Sequence, residues 1–521
     1  MIKFPITPIP TALHKKELFC LCLFLIFAAA ANGLNAQAES IDVNKLYLGA
    51  RFSEIIIYFE TKEKQKNWEF PLKEKLLYIE SLAREAKVRK AEALLNPLLA
   101  DNPSDPAVLS AAGMVYLAMG KLDRAKKYID SALRIEPGFK KAILTGVTLL
   151  LYYREYNEAG KRYEKLLTMA VNEEWADSDL LFLVGLDVYR ACRDSQRLQE
   201  LYKTHAGKMK KINLQRYENL KANYRMYKRK NTEKEILFHI ETVSDKIAVP
   251  FTSEENVLRM NTISMTAKGK TFKVLLDTGN AAGWILHSGE LKDYLKVKKG
   301  GRSLTRIGAG AGLLDGYRHY CKVVHFNGFK IHHLEGVYVP KPHPNFPDAN
   351  LNPVFINNRI VTIDFVKKEL VLRTKARFEK DVVQGGNEKR LARLPWYGYK
   401  YAFVPFKIDK TQKTGLALIE TGAEDIALKF DFVDGLGLSL KPRVKYLANG
   451  KEFRYHLAEV TLLAGGFRFQ RKAAEVWPFG GFRNRVTGLT ADAVIGPAAL
   501  KGKFSVSFDP FARQVILEQA D

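Results

Sequence analysis

Three textures of apolar and polar positions follow one another along this chain. The first is a continuous apolar run from Leu18 to Ala31, preceded by Lys3, Lys15 and Lys16. Residues 40–70 show no clear period and read as a lead-in. From about Pro71 the chain resembles itself at a spacing of 34 residues: Ala91, Ala125 and Ala159 are 34 apart, and so are Pro103 and Pro137. Small Gly113 and Ala125 predict two antiparallel helices in close approach, with Tyr116 filling the space between units. Pro137 lacks an amide donor and predicts the end of a helix. After about Ile236 short runs rich in Val, Ile, Leu and Phe alternate with Gly, Asn and Lys clusters, which predicts strands.

Two stretches stand out in the strand-forming half. Val274-Leu275-Leu276-Asp277-Thr278-Gly279-Asn280 is echoed by Ala417-Leu418-Ile419-Glu420-Thr421-Gly422-Ala423. Each is an apolar run that ends on a carboxylate followed by Thr-Gly, the pattern of a buried strand entering a tight turn. Glycine lets the backbone turn sharply behind the acidic side chain. Asp277 and Glu420 are 143 apart, and Asp364 and Asp509 are 145 apart. Near-equal offsets predict a duplicated unit whose two carboxylates meet at the interface. Carboxylates that cannot both ionise comfortably supply one base and one acid.

The helical half resembles tetratricopeptide repeats over residues 72–205, on Gly113, Tyr116, Gly120, Ala125, Ala132 and Pro137. Gly146, Leu150 and Ala159 continue the pattern, and Leu181–Tyr189 reads as a degenerate fourth unit. The resemblance implies a concave surface that holds a peptide or partner protein; a packing arm for the next domain is the other reading. Residues 206–236 are highly charged and read as a connecting helix or polar end cap.

Residues 240–519 resemble the aspartic protease superfamily, arranged as two retropepsin-like lobes in one chain. Leu276-Asp277-Thr278-Gly279 carries the resemblance, with the glycine-containing stretch Ile307–Gly312 where that family has its flap. Ile363-Asp364-Phe365 with Leu370-Val371-Leu372 would close the first lobe. Glu420-Thr421-Gly422, Val494-Ile495-Gly496, Phe508-Asp509 and Val515-Ile516-Leu517 repeat the pattern in the second. The resemblance implies that Asp277 and Glu420 share a proton and hold a water, and that no metal or cofactor is needed. It implies that Thr278 and Thr421 cross-link the two loops, that Gly279 and Gly422 let them approach, and that Gly308, Gly310 and Gly312 belong to a flap over an extended peptide. The chain departs from the pattern with Glu at 420, Asn at 280, and Asn350-Leu351-Asn352-Pro353 in place of an apolar-apolar-Gly segment.

The expected organisation is a multidomain α + β chain: a tetratricopeptide-like solenoid followed by a bilobal, all-β, aspartic-protease-like domain. Its divisions are a signal peptide (1–38), a lead-in (39–71), repeats (72–205) and a connecting helix (206–236). A first lobe (237–375), an inter-lobe connection (376–399) and a second lobe (400–521) complete it.

Charge and cysteines adjust this picture. The formal net charge is +25, which suits nucleic acid, anionic membrane or acidic partners. The sequence shows no zinc-finger spacing and no basic-aromatic RNA motif, so a specific nucleic-acid ligand is not expected. The Leu18–Ala31 run is short for a membrane span and suits a signal-peptide core, with Ala36-Gln37-Ala38 as the cleavage site. Export to a periplasmic or extracellular compartment follows, with an uncleaved anchor as the other reading. Cleavage would leave Cys192 and Cys321, in settings that read as different domains. Gly308, Gly310 and Gly312 lack the strand-to-helix context of a phosphate loop. His319, His325, His332 and His333 match no metal-ligand spacing and read as surface histidines, and Trp284, Trp396 and Trp477 read as core packing. The functional expectation is an exported aspartic-type endopeptidase whose repeats bind substrate or partner. The alternative is a peptide-binding protein with the same cleft and no turnover.

Overall fold

In the helical half, the 34-residue spacing becomes helices joined by three-residue turns. A computed structural model describes residues 41–64, 70–170, 173–209, 214–227, 238–253, 261–267, 269–306, 313–340, 346–383, 390–446, 452–477 and 487–520. Leu72–Arg84 packs on Val88–Asp101, Pro106–Ala118 on Leu122–Ile135, Lys140–Tyr152 on Tyr156–Ala170, and Asp179–Ala191 on Ser195–Met209. Residues 86, 120 and 154, which are 34 apart, all take positive φ in the turn between paired helices, the conformation that ends a helix at its C-terminal side. Gly113 has to be glycine, because an added Cβ would run into the Ile129 side chain. Tyr116 stacks on Tyr128 of its own pair with ring centroids 5.3 Å apart and stands near enough to Glu92 of the preceding pair to feel its charge.

Two segments of the helical half gain detail from the structure. The lead-in contains helices, Val43–Leu48 and Phe52–Lys62. Phe59 from the second is fully buried and stacks on Tyr78 at 4.6 Å; packing against the first pair stabilises helices too short to announce themselves by period. The charged segment after 205 is helical where it is described, as a connecting helix would be. Helix Leu214–Tyr227 lies along the strand Lys298–Arg306, where Asn223 and Asn219 side chains accept from the Gly301 and Arg302 amides at 3.0 and 3.2 Å.

The second half is a large mixed-sheet domain in which one spatial order of strands occurs twice. The first set runs Asn261–Ala267, Lys270–Leu276, Ala349–Leu351, Trp284–Leu286, Phe329–Tyr338, Leu313–Phe326, Lys298–Arg306. The second runs Phe403–Ile408, Thr414–Ile419, Ala493–Ile495, Ala427–Lys429, Phe467–Trp477, Glu452–Ala464, Lys441–Tyr446. Both contain parallel pairs. Short helices, among them Gly289–Tyr294 and Phe430–Val433, revise the all-β expectation.

Six strands drawn from both parts of the domain continue the sheet of the first set, in the order Leu391–Pro395, Gln514–Gln519, Phe504–Asp509, Ile360–Asp364, Glu369–Arg373, Lys246–Ser253, the last beside Asn261–Ala267; the second set is a sheet of its own. At the middle Thr362 pairs with Ser507, and their hydroxyls are 2.8 Å apart. These two residues are 145 apart, the offset of Asp364 and Asp509, so matching residues meet each other across a local twofold relation. The expected inter-lobe connection thus contributes a strand, Leu391–Pro395, to this shared sheet.

The helical half is seated directly on the sheets. Tyr152 O accepts from Gly398 N–H at 2.8 Å, and Arg154 Nη1 donates to Gly398 O at 3.1 Å. Lys400 pairs with Asp187 and Arg190 with Glu335, each at 2.7 Å. Trp284 and Trp396 are core residues, as expected, whereas Trp477 is only partly buried and donates its Nε1–H to Glu475. His319 corrects the surface expectation. It is fully buried, and burial pushes its imidazole down to about 3; His325 alone of the four is exposed. Cys192 and Cys321 are free thiols. Among the described residues no helix is long and apolar enough to cross a membrane; residues 1–38 lie outside them.

Candidate active site

Each carboxyl stands at the end of a strand locked by a parallel neighbour. Lys270–Leu276 runs parallel to Ala349–Leu351, and the Asp277 amide continues the ladder to Leu351 O at 2.9 Å. Thr414–Ile419 runs parallel to Ala493–Ile495, and the Glu420 amide donates to Ile495 O at 3.1 Å. Val274, Leu275, Leu276, Ala417, Leu418 and Ile419 are all buried, which fixes both strand ends. The chain then turns: Asn280 N–H donates to Asp277 O at 3.1 Å, and Ala423 N–H to Glu420 O at 3.3 Å.

The two turns are joined by four hydrogen bonds between buried threonines and the opposite backbone. Thr278 Oγ1 donates to Ile419 O at 2.6 Å and accepts from Thr421 N–H at 2.9 Å. Thr421 Oγ1 donates to Leu276 O at 2.7 Å and accepts from Thr278 N–H at 3.1 Å. Gly279 N–H donates to Asp277 Oδ1 at 3.1 Å, and Gly422 N–H to Glu420 Oε1 at 2.9 Å. Each glycine also makes room for the carboxyl of the other set. A Cβ on Gly422 would lie 2.7 Å from Asp277 Oδ1, and one on Gly279 would overlap the Glu420 carboxyl.

The two carboxyls are within hydrogen-bonding reach of each other. Glu420 Oε2 is buried and makes no hydrogen bond of ordinary geometry with a described donor; two carboxylate oxygens only accept, so the contact between the pair is a hydrogen bond only with a proton between them. Burial raises the Asp277 carboxyl, opposed by hydrogen bonds from Glu420, Asn350, Gly279 and Asn280. Burial and then the nearby Asp277 charge push Glu420 well above the ordinary carboxyl range. Like charges at this separation drive two titrations apart. The pair therefore favours one proton and one negative charge.

Three residues near the pair went unassigned at the level of sequence. Asn350 Nδ2 donates to Asp277 Oδ2 at 3.1 Å. Asn352 Nδ2 donates to Thr278 O, Asn280 O and Lys400 O at 3.1, 3.0 and 3.1 Å, tying the first turn from behind. Tyr401 stands close enough to feel both carboxyls. The signal for the two asparagines was present: 350 and 352 are polar where the second set has Val494 and Gly496. Gly308, Gly310 and Gly312 lie outside the described residues. Among the described residues no three His, Cys, Asp or Glu side chains gather as metal ligands. No known family's profile matches this chain, and no curated protein matches it.

Proposed function

We propose that this chain is an exported aspartic-type endopeptidase, with two retropepsin-like lobes carried behind a tetratricopeptide-like array that binds substrate or a partner protein. One observation supports this above the rest. Two strand ends, cross-braced by Thr278 and Thr421, bring Asp277 and Glu420 together in a buried setting that favours a single shared proton.

Such a pair activates water without a covalent intermediate. The ionised carboxylate takes a proton from the water as its oxygen adds to the scissile carbonyl carbon, while the protonated carboxyl donates to the carbonyl oxygen. On collapse of the tetrahedral adduct one of its hydroxyls returns a proton to the pair, the C–N bond breaks and the departing amine takes a proton from the pair, which ends with the single proton it began with. The bracing matters because an ångström of misplacement costs on the order of a hundredfold in rate.

A peptide-binding protein without turnover is the second reading. It is favoured by the 3% exposure of Glu420, which leaves its carboxyl less open to substrate than that of Asp277. Incubation of a denatured protein mixture across acid to neutral pH, with Asp277→Asn as control, separates the two. Cleavage that the variant lacks supports the peptidase. Peptide retention with no cleavage at any pH supports the binding protein and rejects the peptidase.

A further inference from the structure

We propose that Asn350 sets the proton order of the carboxyl pair, holding Asp277 as the ionised base and leaving Glu420 as the protonated acid. This rests on the peptidase reading for its catalytic meaning, but its physical content concerns only the pair.

The donors around the two carboxyls are unequal. Asp277 has a donor on each oxygen, Gly279 N–H on Oδ1 and Asn350 Nδ2 on Oδ2, both at 3.1 Å, and the Asn280 amide also bears on it. Glu420 receives Gly422 N–H on Oε1 at 2.9 Å, and the Gly279 amide also bears on its carboxyl, but buried Oε2 makes no hydrogen bond of ordinary geometry with any described donor. A carboxylate supplied with donors on both oxygens is stabilised as the anion. A buried oxygen without a donor is the place for a proton, which then itself donates to Asp277.

Asn350 owes its orientation to this contact. Its own Oδ1 is buried without a donor, and reversing the amide would set that oxygen against a carboxylate oxygen. The residue is 3% exposed, at the centre of the short strand Ala349–Leu351. The matching position in the other set is Val494: Asn350 pairs with Leu275 as Val494 pairs with Leu418. Valine has no donor to offer Glu420, so the asymmetry is built into one pair of matched positions. Among the described residues, the titratable groups that act on Asp277 are Glu420 and Tyr401, and burial raises the Tyr401 phenol and keeps it neutral. Asn350 is in this account a positioning residue, acting through Asp277.

Asn350→Val copies the residue already present at the matched position, and Asn350→Leu is a second variant of nearly the asparagine's shape. The test is the thermal midpoint against pH for wild type and each variant, repeated in Asp277→Asn and Glu420→Gln backgrounds. The variants' deficit should be smallest at the most acid pH, where Asp277 is protonated. It should widen as pH rises through the Asp277 titration, persist in the Glu420→Gln background, and lose its pH dependence in the Asp277→Asn background. In hydrolysis, the acid limb of the rate profile should move up by about one pH unit, a tenfold loss of ionised base at low pH. A deficit that is flat in pH, or whose pH dependence survives Asp277→Asn, overturns the proposal. A wild type without hydrolysis rejects the peptidase reading instead, and the midpoints still decide the role of Asn350.

Discussion

The pair of carboxyls depends on how little room surrounds it. Gly279→Ala would press a methyl group into the Glu420 carboxyl, and overpacking of this kind costs about 1–3 kcal/mol. A denaturant titration should show that loss, with the pair forced apart. The raised Glu420 carboxyl carries a pH signature as well. Its folded-state value lies above the unfolded one, so its contribution to stability is fully present below about pH 4 and is lost as pH rises through the folded value. The thermal midpoint should therefore fall over that window, and Glu420→Gln should flatten the fall. At this level the strand-Thr-Gly echo was enough to single out Asp277 and Glu420. The asparagines could be seen as departures, but their partners could not: Asn350 reaches a carboxyl 73 positions earlier, a distance along the chain that no local pattern spans.

Elements were readable where repetition spoke for them. The near-equal offsets of 143 and 145 anticipated two strand sets of one order, and the 34-residue spacing anticipated the helix pairs. The helices Val43–Leu48 and Phe52–Lys62 were not readable, because packing on Leu72–Arg84 and not period defines them. The threonine brace joins the two sets, and its loss has a measurable form. Thr278→Val strands the buried Ile419 carbonyl and the Thr421 amide, and Thr421→Val strands the Leu276 carbonyl and the Thr278 amide. Each should cost about 1–3 kcal/mol. A double-mutant cycle should show coupling above about 0.5 kcal/mol; simple additivity would mean that the turns are held independently. The seat of helix Leu214–Tyr227 is open to hydrogen exchange. Replacing Asn219 and Asn223 by alanine should speed exchange at the Gly301 and Arg302 amides, leaving the Leu313–Phe326 ladder protected.

The two halves of the molecule are bound by residues whose roles depend on both. Arg154 sits at the third positive-φ turn of the helical spacing, a position that nothing in the sequence pattern singles out. Its guanidinium lies 3.5 Å from the Trp396 ring centroid and donates to Gly398 O. From there the chain passes through Lys400, whose carbonyl accepts from Asn352, to Tyr401 beside the carboxyls. The helical array is thus in continuous contact with the backbone that supports the site. That joint was hidden in the sequence because its partners are 244 positions apart. Whether this assembly hydrolyses peptides is decided most directly by the pH–rate profile of one cleaved peptide, for wild type, Asp277→Asn, Glu420→Gln and Glu420→Asp, each checked for native fold. The expected profile is bell-shaped and highest on the acid side, abolished by Asp277→Asn, nearly abolished by Glu420→Gln, and retained in part by Glu420→Asp. A Glu420→Gln enzyme as active as wild type would contradict the carboxyl pair as the catalytic unit, even with both strand sets in place.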